Sequence, residues 1–420
     1  MRWIDIALPA PGGCQETDRR LAEAHALSEE TPQVQERFGL DTPAVAQHVE
    51  RIGRELFQAV TAADAGAFRP DSARDGSATP PCGDLDADTR IGYHVLAADQ
   101  WVGLPWHLLH NGVAYLLETG PICAAEHGSR VPEIDPPRAW MQRYSHALFE
   151  DTSPQQRERT CPEILFVPGH GRDEIRRLMF READGIDSAL NIRVPAAARL
   201  RIPGAVTPGL LASRAMLYQA LHFAAPTSQP PEISKAGENR WLAGLMAAAG
   251  RTGADAVDEL VGLEMEVLGV DPIETALDQA VHAHSRRGAA KSVGGSTTGR
   301  DARATTGWLL DDGPVLPEQL GSGGGLPALV FSNSWCSLAW LGQRFRRAGS
   351  STFVGTAIPI FSRPARLFAA LFYKALGSGL DCGSAHRQAA LALRERLGAE
   401  HPGWLAYGLQ GYGSVRLADL

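Results

Sequence analysis

The chain has 420 residues, 44% of them hydrophobic, and a formal net charge of -8. That is enough for two domains or one large one with a real apolar core, and the charge leaves no basic footprint for nucleic acid. Six scattered cysteines (Cys14, Cys82, Cys123, Cys161, Cys336, Cys382) offer no pair at metal-ligand spacing and no disulfide framework, and no apolar run approaches membrane-spanning length.

In chain order, Met1-Arg-Trp-Ile-Asp-Ile lacks a signal-peptide apolar core, so a reduced cytoplasm is the expected compartment. Residues 1 to about 100 read as an N-terminal layer. Thr42 as N-cap and Pro43 at the first position start a helix that runs through Leu56. Residues 66–89, rich in Gly, Pro, Asp and Ser, read as a loop. Strands are expected at Arg90–Ala97 and Tyr115–Glu118, on either side of a corner at Leu104-Pro-Trp. The segment 124–160 is polar, with a helix predicted at 138–149. Ile164–Val167 begins a second sheet region, followed by strand candidates at Asn191–Val194 and Leu200–Ile202, a helix at 207–219, and the run Leu221–Ala224.

Residues 230–304 read as a helical insertion. Val257, Leu260, Val261, Met265 and Leu268 recur at helical spacing and stop at Gly269. Asp271-Pro-Ile-Glu274 then carries the capping pattern of a second helix, with Ile273, Leu277, Ala280, Val281 and His284 on one face. The Gly/Ser/Thr-rich stretch 288–306 has the composition of a flexible tail. Such a pair is either a lid or docking surface, or a decoration packed on the core.

The apolar run Ala328–Phe331 is expected to be a buried strand, and the chain from Leu338 is rich in helix formers. Between them stands Asn333-Ser-Trp-Cys-Ser337. Small polar residues at a strand-to-helix corner suit a nucleophile, because the corner is exposed and the next helix offers unpaired N–H groups. The alternative is a plain turn with a half-buried thiol. Helix, strand, helix and helix follow at Arg344–Gly349, Phe353–Pro359, Phe368–Tyr373 and Ala389–Arg394. Apolar strand runs alternating with longer amphipathic stretches predict a mainly parallel sheet. Ile164–Val167, Leu221–Ala224 and Ala328–Phe331 should be neighbouring strands.

This C-terminal succession resembles the CHAT family, caspase-like cysteine peptidases related to separases. The resemblance rests on the Asn333–Ser337 corner, the helix ending in Ala348-Gly349, Val354-Gly-Thr356, Phe372-Tyr373 and a tail with Trp404 and Tyr407-Gly408. Leu104-Pro-Trp-His-Leu-Leu109 is similar to the family's Leu-Pro-Trp-Glu-Leu-Leu. The resemblance implies an α/β fold: a caspase-like, mainly parallel sheet flanked by helices. It also implies an N-terminal CHAT-associated α/β region at 1–160 and a caspase-like domain at 161–420 that carries the insertion.

The catalytic positions depart from that family. Matching Asn333 and Ser337 to its Asn-Ala-Cys-Glu-Ser puts Ser334 on the Ala, Trp335 on the nucleophile and Cys336 on the Glu. Its His-Phe-Ala-Gly-His-Gly is best matched by His222-Phe-Ala-Ala-Pro-Thr227, with Pro226 in place of the basic His. Trp cannot attack a carbonyl and Pro cannot accept a proton. The indole of Trp335 is expected in or over the cleft. His170, in Gly169-His-Gly171, and His222 are the candidate substitutes as base for Cys336. His282 and His284 lie beside Arg286 and Arg287 and read as positive charge at a helix C-terminus. They lack the further ligands that a zinc site needs.

Two functions therefore stay open. One is a pseudoprotease: a protein-binding or regulatory module of a bacterial signalling or defence assembly, holding a protein partner through Asn333, Ser334, Trp335 and Ser337. The other is an active cysteine endopeptidase on a peptide substrate, with Cys336 as nucleophile and His170 or His222 as base. Neither needs a cofactor, a metal, nucleic acid or a membrane.

Overall fold

The computed structural model describes residues 2–38, 43–65, 67–68, 91–127, 162–169, 173–192, 198–203, 206–215, 218–224, 306–310, 312–321, 326–358, 360 and 362–417. The predicted helix at 138–149, the insertion at 230–304, most of the loop at 66–89, His170 and Pro226 lie outside these residues.

Eleven strands are formed among them: β1 (Arg2–Ala7), β2 (Ile91–Ala97), β3 (Ile122–Glu126), β4 (Glu163–Pro168), β5 (Arg199–Arg201), β6 (Ala220–Ala224), β7 (Trp308–Leu310), β8 (Gly313–Val315), β9 (Leu329–Ser332), β10 (Thr352–Thr356) and β11 (Tyr407–Gly411). Nine make one sheet in the order β1-β2-β3-β11-β10-β9-β6-β4-β5, while β7 and β8 form a separate hairpin. Every pairing in the large sheet is parallel except β10 with β11. Two parallel blocks thus run in opposite directions and meet at that seam. The three strands expected to be neighbours are adjacent, as β4, β6 and β9. The fold is α/β, with a mainly parallel sheet flanked by helices.

The strands read as they do because both faces of the sheet are covered. Each residue of β6, β9, β10 and β11 is buried, the pattern of a sheet packed between layers. On one face lie α3 (Asp173–Leu190) and α4 (Ser362–Gly377), with Phe368, Phe372 and Tyr373 against Phe331. On the other, Phe223 stacks on Trp308 at 4.3 Å, and Phe345 joins Trp308 to Phe353. A further helix, α5 (Cys382–Leu397), packs on α4 and is capped by Asp381, whose Oδ1 accepts from Ser384 N at 2.7 Å.

The N-terminal region contributes α1 (Gln15–Phe38) and α2 (Pro43–Ala63), which pack on each other. In α2 the helical spacing of Val45, Val49, Ile52, Leu56 and Val60 is also the buried face. This helix continues past the expected end at Leu56 to Ala63. Tyr115–Glu118 is not a strand. Leu116–Glu118 forms a 3₁₀ turn, in which Glu118 Oε1 accepts from Tyr115 N at 3.3 Å and Thr119 Oγ1 donates to Leu116 O at 2.8 Å. These local side-chain bonds overrode the short apolar run, and the strand forms instead at Ile122–Glu126. The helix expected at 207–219 is shorter, Pro208–Arg214, with Thr207 as its N-cap.

Candidate functional site at the end of strand β9

The sheet hands the chain from β9 into Asn333–Ser337, and from there into a turn of π-helix, Leu338–Gly342, continued by Gln343–Arg347. Cys336 has a φ of 53°, and among the described residues it alone is non-glycine with positive φ. Left-handed backbone costs a residue with a side chain about 1–2 kcal/mol, so the surrounding structure must hold it there.

Hydrogen bonds that tie the corner to β9 and β10 supply that hold. Ser337 Oγ donates to Ser332 O at 3.1 Å and accepts from Thr356 N at 3.1 Å. Thr356 Oγ1 in turn donates to Ser334 O. A Cβ on Gly355 would lie 2.7 Å from Ser337 Oγ and 3.1 Å from Leu338 N, so the corner can close on β10 only over a glycine. The Val354-Gly-Thr356 motif is thereby explained: Gly355 gives the clearance and Thr356 ties down the corner.

Trp335 and Cys336 are 8% and 7% exposed, respectively. The indole Nε1 donates to Ile360 O at 2.9 Å, which fixes Trp335 against the chain that leaves β10. Ser334 and Ser337 are buried, and Asn333 is half-buried.

His222 lies inside β6, fully buried, in register with Phe331 of β9. Its ring is stacked between Phe166 at 5.2 Å and Phe331 at 4.7 Å. Nε2 is 2.6 Å from Glu182 Oε1, and Nδ1 is 3.2 Å from the Tyr373 hydroxyl. Both ring nitrogens are therefore engaged, Nε2 by Glu182 and Nδ1 by Tyr373. The same Glu182 oxygen accepts from Asn333 Nδ2 at 2.8 Å, and Asn333 Oδ1 accepts from the Tyr407 hydroxyl. A continuous polar chain thus runs Tyr373–His222–Glu182–Asn333–Tyr407 through an otherwise apolar layer.

Sequence patterns single out Asn333, Tyr407 and His222 but give no hint that they join. They do not mark Glu182 at all, because a carboxylate within an amphipathic helix reads as a solvated residue. Among the described residues, no group of three or more His, Cys, Asp or Glu is placed to hold a metal ion. No helix among them is long and apolar enough to cross a membrane.

No protein-family model matches the chain, and no curated protein does. Among solved structures it is similar to the crystal structure of the Arg-specific cysteine proteinase gingipain R (RgpB). The identity is 8%, the alignment covers 99% of this chain and 78% of that one, and the TM-score is 0.38.

Proposed function

We propose that this protein keeps a caspase-like peptidase scaffold of the CHAT type without its catalytic dyad, and acts as a protein-binding or regulatory module in a bacterial signalling or defence assembly. The observation that carries this reading is the state of the corner. The position that resembles the family's nucleophile holds Trp335, whose indole is buried and bonded to Ile360 O. The nearest match to the family's base motif supplies His222, whose ring nitrogens are taken by Glu182 and Tyr373.

One observation favours the second reading, an endopeptidase that uses Cys336 with His170 or His222. Strained, left-handed residues cluster at working sites, and Cys336 is such a residue on a strand-to-helix corner. Serving as the base, His222 would have to give up its bond to Glu182 or to Tyr373.

The test mixes purified protein with the products of neighbouring genes and follows cleavage by mass spectrometry. The module reading expects a stable complex, no cleavage, and unchanged binding by Cys336→Ala. Partner cleavage that disappears in Cys336→Ala would establish the endopeptidase instead.

A further inference from the structure

Glu182 is an acidic residue on a helix face that otherwise buries Met179, Ala183, Ile186 and Leu190. Its side chain is 7% exposed. Burying a carboxylate costs several kcal/mol unless hydrogen bonds repay it. Both of the bonds made by its Oε1 reach toward one place: the imidazole of His222 on β6, and the amide of Asn333, the first residue of the corner. The other end of that amide accepts from Tyr407 on β11. The Tyr407 ring is itself immobilised, stacked on Phe368 at 3.9 Å and 7°. Asn333 is thus gripped from two sides, by groups delivered from a flanking helix and from the far side of the antiparallel seam.

The grip on Asn333 bears on the strained residue next along the corner. Three positions after Asn333, Cys336 sits in left-handed backbone and is buried, an arrangement that relaxes unless its surroundings enforce it. Ser337 and Thr356 enforce it from the helix side, and the Glu182–Asn333–Tyr407 bridge does so from the strand side. We infer that Glu182 is a positioning residue for the corner: with Tyr407 it locks Asn333, and so keeps Trp335 and Cys336 in the closed arrangement. The inference rests on the reading of this corner as the working site, and applies whether Cys336 is catalytic or not.

The test is the alkylation rate of each cysteine in the full-length protein, with iodoacetamide as the probe and mass spectrometry as the readout. Cys123, fully buried on β3, serves as the internal control. Losing a charge-assisted hydrogen bond should make local opening of the corner about tenfold more frequent or greater, and losing a neutral one roughly a few-fold more frequent. Glu182→Ala and Tyr407→Phe are therefore expected to raise Cys336 labelling by those respective factors relative to Cys123. Glu182→Gln, whose amide oxygen still accepts from Asn333, should raise labelling less than Glu182→Ala does. Tyr407→Phe removes only a hydroxyl and keeps the stacked ring, so it decides the matter if Glu182→Ala fails to fold. A rise shared equally by Cys123 would reduce Glu182 to a general stabiliser and overturn the inference. So would an unchanged Cys336 rate in a folded Tyr407→Phe. Partner cleavage is not read in this assay, so its failure is distinct from failure of the proposed function.

Discussion

His107 and His386 lie with their ring centroids 6.2 Å apart at an interplanar angle of 81°, both fully buried, each donating from Nε2 to a carbonyl at the entrance to β11. His107 reaches Leu405 O at 2.9 Å and His386 reaches Tyr407 O at 2.8 Å. The upstream Pro-Trp corner and α5 thereby hold the same short segment, the one that delivers Tyr407 to Asn333.

Acid should loosen this clamp. Burial, followed by the neighbouring His386, pushes the pKa of His107 down to about 3, and burial pushes that of His386 down to about 4. Both imidazoles are neutral in the fold, whereas in the unfolded chain they take up protons below about 6.5. The stability they allow is complete above that value and is lost as the pH falls toward about 4 and then about 3. Each group adds a slope of about 1.4 kcal/mol per pH unit over its window. Denaturant midpoints taken between pH 7 and pH 4 should fall steeply, and His386→Gln should flatten the fall by about one proton's slope.

Gly408 should tolerate no side chain. A Cβ there would lie 2.5 Å from His107 Nδ1 and 2.5 Å from Leu338 Cδ2. Gly408→Ala is expected to cost about 1–3 kcal/mol through overpacking, read from urea unfolding. A variant as stable as the parent would mean that the corner at 106–108 can shift away from β11.

Cys336 should invert the usual order of alanine and glycine. At ordinary positions glycine is less stable than alanine by roughly 0.5–1 kcal/mol, because its unfolded chain is freer. At a φ of 53° alanine keeps the left-handed penalty and glycine does not. Cys336→Gly is therefore expected to be more stable than Cys336→Ala by a few tenths to about 1 kcal/mol. The opposite order would show that the corner adopts another backbone in solution.

Trp335→Ala should harm both folding and partner binding. Removing a buried indole costs about 3–5 kcal/mol when the site cannot collapse, and here it also strands the Ile360 carbonyl. Trp335→Phe keeps much of the volume and loses only the hydrogen bond, so it separates the two effects. Under the proposed function Trp335→Phe weakens partner binding in a pull-down or by calorimetry, whereas Cys336→Ala leaves it intact.

Much of the fold is legible in the sequence. Ile164–Val167, Leu221–Ala224 and Ala328–Phe331 are short apolar runs between polar breaks, and they are β4, β6 and β9, side by side. Thr42-Pro43 and a 3.6-residue apolar period mark α2. These features are local, because burial imposes its period on a few consecutive residues. Helix α1 escapes such a reading for the same reason. Its buried stripe of Leu21, Ala24 and Leu27 is narrow, and the surrounding Glu and Arg residues pair with one another on its surface.

The sequence by itself determined that a parallel sheet would form and that a polar corner would follow β9. Tertiary structure alone decided what the corner is tied to. Asn333 meets Glu182 across 151 positions and Tyr407 across 74, and no local period records which distant donor will satisfy a buried carboxylate. The antiparallel seam between β10 and β11 is equally long-range in origin, since strand direction depends on where the helices α4 and α5 return the chain. Cys336 entered its left-handed state for a non-local reason too: Ser332, Thr356 and the clearance over Gly355 converge on the corner only once β9 and β10 are paired.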